Sequence, residues 1–381
     1  MTIYVTGVDM SSAFDTIKRD KLLEIAEEML DEDGVRILRV LLTNTNIEVR
    51  MIGATTTPFE SNIGGPQGDS YSGPQFEIYF EHFLKILREE VGITINGDLP
   101  EEMIYADDYD NLTEDKEKKG KFMNKVSGIL SKGNLKVNED KTEETILRRN
   151  KHDRKTKEKN EPWRDVVKLG SKLGDKEDVQ RRKQISTGSM RKIEDIIRRK
   201  KTTKTKKKMK LYNSLVKSVL MYNSCTWGLT KNDEKELDSF HRRQLRQVLG
   251  VKYPMKMRNE KVYERTETRP LSIDITKARW KMLGHVLRMN EKTPARMAMK
   301  YLFQNLKKEK KFKGRKRATI VTTINRDIKR TRKIYENFDI KPLLSELDLR
   351  NARVKALNRK HWQKKVKMVV DAAYSDLRFS S

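Results

Sequence analysis

Three carboxylates have the clearest capacity for chemistry in this chain: Asp9 at the end of "IYVTGVD", and the adjacent pair Asp107 and Asp108 in "EEMIYADDYDNL". Two like charges side by side repel unless a cation sits on or between them. The pair therefore reads either as a solvated turn, for which Asp is a common former, or as a cation site. Asp9 closes a β-branched and aromatic run with strand character, and Met103, Ile104, Tyr105 and Ala106 form a short apolar run ahead of the pair. "MIYADDYDNL" thus predicts strand, tight turn and strand, with the aspartates at the hairpin tip. If the two strands are neighbours in one sheet, the three carboxylates converge. Such a cluster calls for divalent cations. Mg²⁺ is the natural choice, being hard, oxygen-binding and usually held by few carboxylates plus substrate phosphates. Two such ions about 4 Å apart activate a hydroxyl nucleophile and stabilise the leaving oxygen in phosphoryl transfer.

The elements that must position these residues are legible in outline. After Asp9 a helix is expected, capped by Ser11 or Ser12, with Leu22, Leu23, Ile25, Ala26, Met29 and Leu30 on its apolar face and Gly34 at its end. "GVRILRVLLTN" is a second helical run, Ile47 to Phe59 suggests a hairpin, and "SNIGGPQGDSYSG" is a glycine-rich loop. Phe76, Tyr79, Phe80, Phe83, Leu84 and Leu87, spaced by three and four, predict a helix whose aromatic rings are core rather than ligands. Phe122, Val126, Ile129 and Leu130 mark another helix, and "LKVNEDKTEETIL" and "DVVKLGS" read as strands. Strands and helices mix without regular alternation, which predicts an α+β fold with an antiparallel sheet. The charged run 148–163 is expected to be a loop or insertion, and beyond Asp175 the pattern is helical, ending in one amphipathic helix.

The chain has 381 residues with a net charge of +28, which suits a polyanionic partner. The distribution is bipartite: residues 1–150 carry a net −11, residues 151–381 a net +39. An acidic, metal-binding half joined to a basic, phosphate-binding half is what an enzyme acting on nucleic acid needs. "KKTTKTKKKMK" is either a solvated linker or a phosphate contact, and 306–319 a basic arm. A single cysteine, Cys225, excludes a disulfide framework and a cysteine-based zinc knuckle, and points to a reducing compartment. No run of about 18 apolar residues and no signal peptide is seen, so no membrane partner and an intracellular location are expected.

Five blocks in order carry a resemblance. "GVDMSSAFDTIKRDKL" resembles motif A of reverse transcriptases, "GGPQGDSYSGPQF" motif B, "YADD" motif C, "LKVNEDKTE" motif D and "VVKLGS" motif E. Downstream, "SLVKSVLMYNSCTWGLTKNDEKELDSFHRRQLRQVLGV" and "ARWKMLGHVLRM" resemble the region after the polymerase in LINE-type (non-LTR) retrotransposons, so the likeness spans roughly residues 3–300.

That resemblance implies an RNA-directed DNA polymerase, with an RNA template, a DNA primer or target and dNTPs as partners, two Mg²⁺ ions (or Mn²⁺ in their place) as cofactors, and nuclear action. The implied organisation is a palm over 1–175, an antiparallel sheet backed by helices, then a basic thumb-like helical region over 176–255 and a basic helical C-terminal region over 256–381. Asp9 and Asp107 would be the principal metal ligands and Asp108 the third carboxylate, while Asp15 stands outside the trio. Phe14 would lie under the sugar of the incoming nucleotide and exclude a 2′-hydroxyl; without the family it reads as a core ring. Gln67 would touch nucleotide and template, Gly65 and Gly68 would let the backbone approach nucleic acid, and Lys141 would protonate the pyrophosphate leaving group. Trp163, Trp227, Trp280, Trp362 and His285 read as packing residues. Where relatives carry Ser-Pro-x-Leu-Phe after motif B, this chain has "SGPQF", Ser72 to Phe76, which leaves the start of that helix open. The chain starts almost at motif A, so fingers and endonuclease are expected to be missing. The alternative reading is a nucleic-acid-binding remnant without turnover.

Overall fold

A computed structural model describes residues 2–65, 68–94, 100–148, 166–198, 204–304 and 318–378. The chain divides into two compact units, 1–169 and 170–381.

In the first unit, β1 (Thr2–Val8) leads through Asp9 into β2 (Met10–Ser11). The helix expected next starts later than Ser11 or Ser12 could cap it. Residues 12–16 form a turn with Ser12 at φ 50°, and α1 runs Arg19–Met29 from an N-cap at Lys18. Gly34 does not end that helix. It lies in the first turn of α2 (Glu32–Leu42), where its N–H donates to the capping carboxylate of Asp31 at 2.9 Å. The expected hairpin is two nested pairs, β3 (Asn46–Ile47) with β6 (Phe59–Glu60) and β4 (Arg50–Met51) with β5 (Ala54–Thr55). α3 (Ser72–Val91) follows with Pro74 in its first turn, where a missing N–H costs nothing.

β7 (Glu102–Tyr105) and β8 (Asp108–Thr113) make the predicted hairpin. α4 (Lys116–Lys132), β9 (Lys136–Val137), a 3₁₀ turn and β10 (Glu143–Arg148) complete the unit. The main sheet is antiparallel, in the order β10-β1-β8-β7. Val8 and Tyr109, opposite one another in the β1–β8 register, join the aromatic stripe of α3 and the apolar face of α4 in one core. Tyr109 meets Phe80 edge-on at 6.1 Å and Phe122 at 5.7 Å between ring centroids. The expected α+β fold and core assignment of the stripe are those of the structure. Most of the expected loop lies in 149–165, outside the described residues.

The second unit is helical. Asp175–Lys192, Lys231–Leu249 and Leu271–Arg288 are its long early helices, and a π-helical turn at Asn213–Lys217 interrupts the run Thr205–Met221. Its C-terminal end is two helices, Glu346–Leu357 and Arg359–Arg378, rather than one. Trp227, Trp280 and Trp362 are buried, as packing requires; Trp280 and Trp362 stack at 5.7 Å. Trp163 lies outside the described residues, as do 199–203 and 305–317 within the two basic runs, and His285 is exposed. Among the described residues no helix is long and apolar enough to cross a membrane.

Candidate active site

Asp9 is placed by the end of β1 and its neighbours by the β7–β8 turn. Because Val8 faces Tyr109 across the antiparallel pair, the next residue along each strand brings Asp9 level with Asp108. Tyr105 pairs with Asp108, so Ala106 and Asp107 are the two turn residues, and Ala106 takes φ 54° to close it. Alternation along β8 buries Tyr109 and sends Asp108 and Asp110 to the other face.

The electrostatics follow from that crowding. Burial, and then the negative fields of Asp107, Asp110 and Asp9, hold the Asp108 carboxyl above its usual range; Lys168 opposes them. Lys168 Nζ stands 2.7 Å from Asp110 Oδ1. It crosses directly over Gly7, next to last in β1, where a Cβ would fall 1.6 Å from that nitrogen, so a side chain there would have to push the ammonium off Asp110. Lys141, at the end of the 3₁₀ turn Glu139–Lys141, brings its ammonium to 3.6 Å from Asp9 Oδ2. The turn is held by Asn138, whose N–H donates to Asp9 O at 2.8 Å.

A second group forms around the glycine loop. Gly65 N donates to Phe14 O at 3.0 Å and Gly64 N to Ile17 O at 2.9 Å. Gly64 has φ +78°, and a Cβ there would lie 3.0 Å from the carbonyl oxygen of Asp15, so no other residue fits without strain. The backbone of Asp15 abuts this loop. Phe14 is half-buried, stacked on Phe76 at 4.5 Å between centroids. Gly68, at φ +91°, is exposed just before α3. Gln67 lies outside the described residues.

Sequence reasoning missed three residues here. Asp110 could have been found, since a residue two along from Asp108 shares its strand face. Lys168 and the buried Arg19, which donates to Gly64 O, Ser61 O and Leu42 O, carry no local signal.

Among the described residues no three Asp, Glu, His or Cys side chains close up into a metal cage. The donor set still fits Mg²⁺, which takes few protein carboxylates and completes its shell with water and phosphate. The crowding felt by Asp108 is what a cation would relieve.

Residues 2–211, more than half of the chain, match the reverse transcriptase (RNA-dependent DNA polymerase) family, and the chain belongs to that family. No curated protein matches significantly. Similar solved structures include apo telomerase from Candida tropicalis (12% identity, TM-score 0.39, covering 92% of this chain and 53% of that one). Another is telomerase from Candida albicans in complex with a TWJ fragment of telomeric RNA (13%, 0.39, 74% and 47%). A third is apo telomerase from Candida tropicalis truncated from its C-terminal domain (21%, 0.32, 39% and 32%). The chain spans about a third to a half of the length of these structures.

Proposed function

We propose that the chain is the RNA-directed DNA polymerase of a LINE-type (non-LTR) retrotransposon, acting in the nucleus, with a palm over 1–175, a thumb-like region over 176–255 and a basic C-terminal region over 256–381. The observation that carries this reading is the meeting of Asp9 with Asp107 and Asp108 at one end of neighbouring antiparallel strands. The LINE-type assignment rests on the downstream phrases at 214–251 and 278–289.

In this reading Asp9, Asp107 and Asp108 would hold two Mg²⁺ ions, for which Mn²⁺ could substitute. Bound there, the ions would supply Lewis-acid activation of the primer 3′-hydroxyl and charge neutralisation on the leaving oxygen. The 3′-oxygen loses its proton and bonds to the α-phosphorus of a dNTP as pyrophosphate departs. Lys141, beside Asp9, gives a proton to that leaving group. Phe14 crowds the 2′ position of the incoming sugar, and its stack on Phe76 keeps the ring from yielding. Gly65 and Gly68 let the loop backbone approach the nucleic acid, and Gln67 contacts nucleotide and template.

The test is dNTP incorporation on a primed RNA template with Mg²⁺, comparing the native chain with Asp107→Asn, Asp108→Asn. Incorporation by the native chain and its loss in the variant are expected, a fall of about 10³-fold or more for removing ligands of a phosphoryl-transfer centre. No incorporation by either, with RNA binding intact, would refute this reading. It would leave a protein that holds nucleic acid without extending it.

A further inference from the structure

The main sheet of the first unit ends at β7, and that edge is open. The two-residue turn makes Tyr105 and Asp108 a bonded pair of the β7–β8 ladder, and the bond from Leu112 N to Glu101 O at 2.6 Å keeps the same phase. Bonded pairs alternate with unbonded ones, so the N–H and C=O of Ile104 point away from β8. Among the described residues none takes either group.

Along that edge runs a groove of about 680 Å³. Ile104, which shares a face with Tyr109 and not with Asp108, forms one wall, and Ile78 and Leu84 of α3 and Met29 at the end of α1 add apolar surface. In a chain of net +28, the described residues lining this groove include two carboxylates, Glu77 and Glu81, and no cation. Behind them Arg88 answers both Glu81, at 2.5 Å, and Glu102, at 2.7 Å. Glu77 is exposed and pairs with no described residue, so these three acids and one cation leave a formal −2. The open backbone calls for an extended occupant, and the charge calls for a basic one.

We propose that β7 and this groove take an extended basic segment of another protein as a fifth strand of the sheet. Alternate side chains of that segment enter the groove, β-branched ones against Ile78, Leu84 and Ile104 and a Lys or Arg against Glu77. Its backbone exchanges both bonds with Ile104. A second copy of the chain does not fit, because β7 against β7 sets Glu77, Glu81 and the aspartate turn of one copy beside their like in the other. Nucleic acid does not fit either, since its phosphates would meet carboxylates. The proposal goes beyond the polymerase reading and stands without it, because the groove opens on the face of β7 and β8 away from Asp108.

The experiment titrates the full chain with a labelled peptide, acetyl-Lys-Thr-Ile-Thr-Val-Thr-Lys-amide, which puts Lys, Ile, Val and Lys on one face, and reads fluorescence anisotropy. Saturable binding is expected, about tenfold weaker to Glu77→Lys, where an attraction is lost and a repulsion gained, with the melting temperature unchanged. The peptide with Glu at both ends should show the opposite preference between the two chains. N-methylation at Ile and Val keeps the side chains, removes the edge bonds and should weaken binding about tenfold. In hydrogen exchange the Ile104 amide should be fast in the free chain and slowed about tenfold by the peptide, and unaffected by oligouridylate. No saturable binding, or equal binding of the Lys-ended and Glu-ended peptides, would overturn the proposal, as would native-like binding of the N-methylated peptide. Displacement of the peptide by oligouridylate would give the groove to nucleic acid, and a dimer that the peptide dissolves would give the edge to a second copy; either overturns it. Glu77→Lys should incorporate dNTPs as the native chain does, so failure here and failure of the polymerase reading are separable.

Discussion

Replacing Arg19 with Met asks whether one side chain holds the glycine loop against the start of α1. Arg19 is only 6% exposed; its Nε donates to Gly64 O at 2.8 Å, and its Nη1 to Ser61 O at 2.5 Å and Leu42 O at 3.2 Å. Methionine retains the apolar stem and donates nothing. Hydrogen bonds from a charged donor contribute about 1.5–3 kcal/mol each, and the two shorter ones dominate here. Roughly half of that is offset because the guanidinium no longer has to be dehydrated, leaving a loss of about 2 kcal/mol, or roughly 4–8 °C in melting temperature for a unit of this size. Arg19→Lys should recover only part of it, since a point charge on a flexible stem does not reach three carbonyls as the planar fork does. Hydrogen exchange localises the effect: the amides of Gly64 and Gly65, which donate to Ile17 O and Phe14 O, should exchange about thirtyfold faster, a tenfold change for each ~1.4 kcal/mol. A Met variant within about 0.5 kcal/mol of the native chain, or with protection at 64 and 65 unchanged, would refute the account.

Gly64→Ala should cost about 2 kcal/mol in chemical denaturation, combining the left-handed strain of φ +78° with the approach to the Asp15 carbonyl oxygen. His241 is fully buried with neither ring nitrogen bonded, and burial, with Lys217 and Arg242 nearby, lowers its pKa from 6.5 to about 3 despite Asp274. The neutral ring is the folded form, so its contribution is complete above pH 6.5 and falls by about 1.4 kcal/mol per pH unit below it, a loss of about 2 kcal/mol by pH 5. His241→Phe should remove that part of the pH dependence and gain about 1–2 kcal/mol at pH 7, read by tryptophan fluorescence in a Trp163→Phe background, where the remaining Trp227, Trp280 and Trp362 all lie in the second unit. Tyr253 is 94% exposed between Lys252 and the cations Lys256 and Arg258; Tyr253→Ala should weaken binding of single-stranded RNA by about tenfold in filter binding, the loss of one stacking surface, without changing the melting temperature.

What the sequence disclosed follows the range of the interactions concerned. The β7–β8 hairpin and the α3 stripe were legible because periods of two and of three to four are written locally. The start of α1 was not. Ser11 and Ser12 are good capping residues, but the chain at 12–16 first turns back so that Phe14 and Ile17 can accept from the glycine loop nearly fifty residues later, and the helix waits until Lys18. Gly34 was misread because glycine ends helices yet is tolerated in a first turn, where Asp31 supplies the cap. Asp9 and the Asp107–Asp108 pair could be named from sequence, but their meeting depends on the β1–β8 register, which a pattern of alternating residues does not specify across so long a stretch of chain. Lys168 was invisible for the same reason, since nothing near it in the chain records that it answers Asp110.

The charges at that end of the sheet support a definite division of labour. Asp9, Asp107, Asp108 and Asp110 bring four negative charges, and Lys141 and Lys168 return two positive ones, so the cluster carries a formal −2. The two lysines are not equivalent. Lys168 is one-fifth exposed and pressed over Gly7 by the sheet itself, so its pairing with Asp110 is part of the scaffold. Lys141 is two-thirds exposed and 3.6 Å from Asp9, a loose contact that solvent screens and a competing cation can displace. The charge left for a ligand is therefore concentrated on Asp9, Asp107 and Asp108, on the side where Lys141 can swing away. With Asp110 answered by Lys168 and Lys141 displaced, that trio carries a formal −3, which in the polymerase reading proposed above two divalent cations and the substrate's phosphates would share.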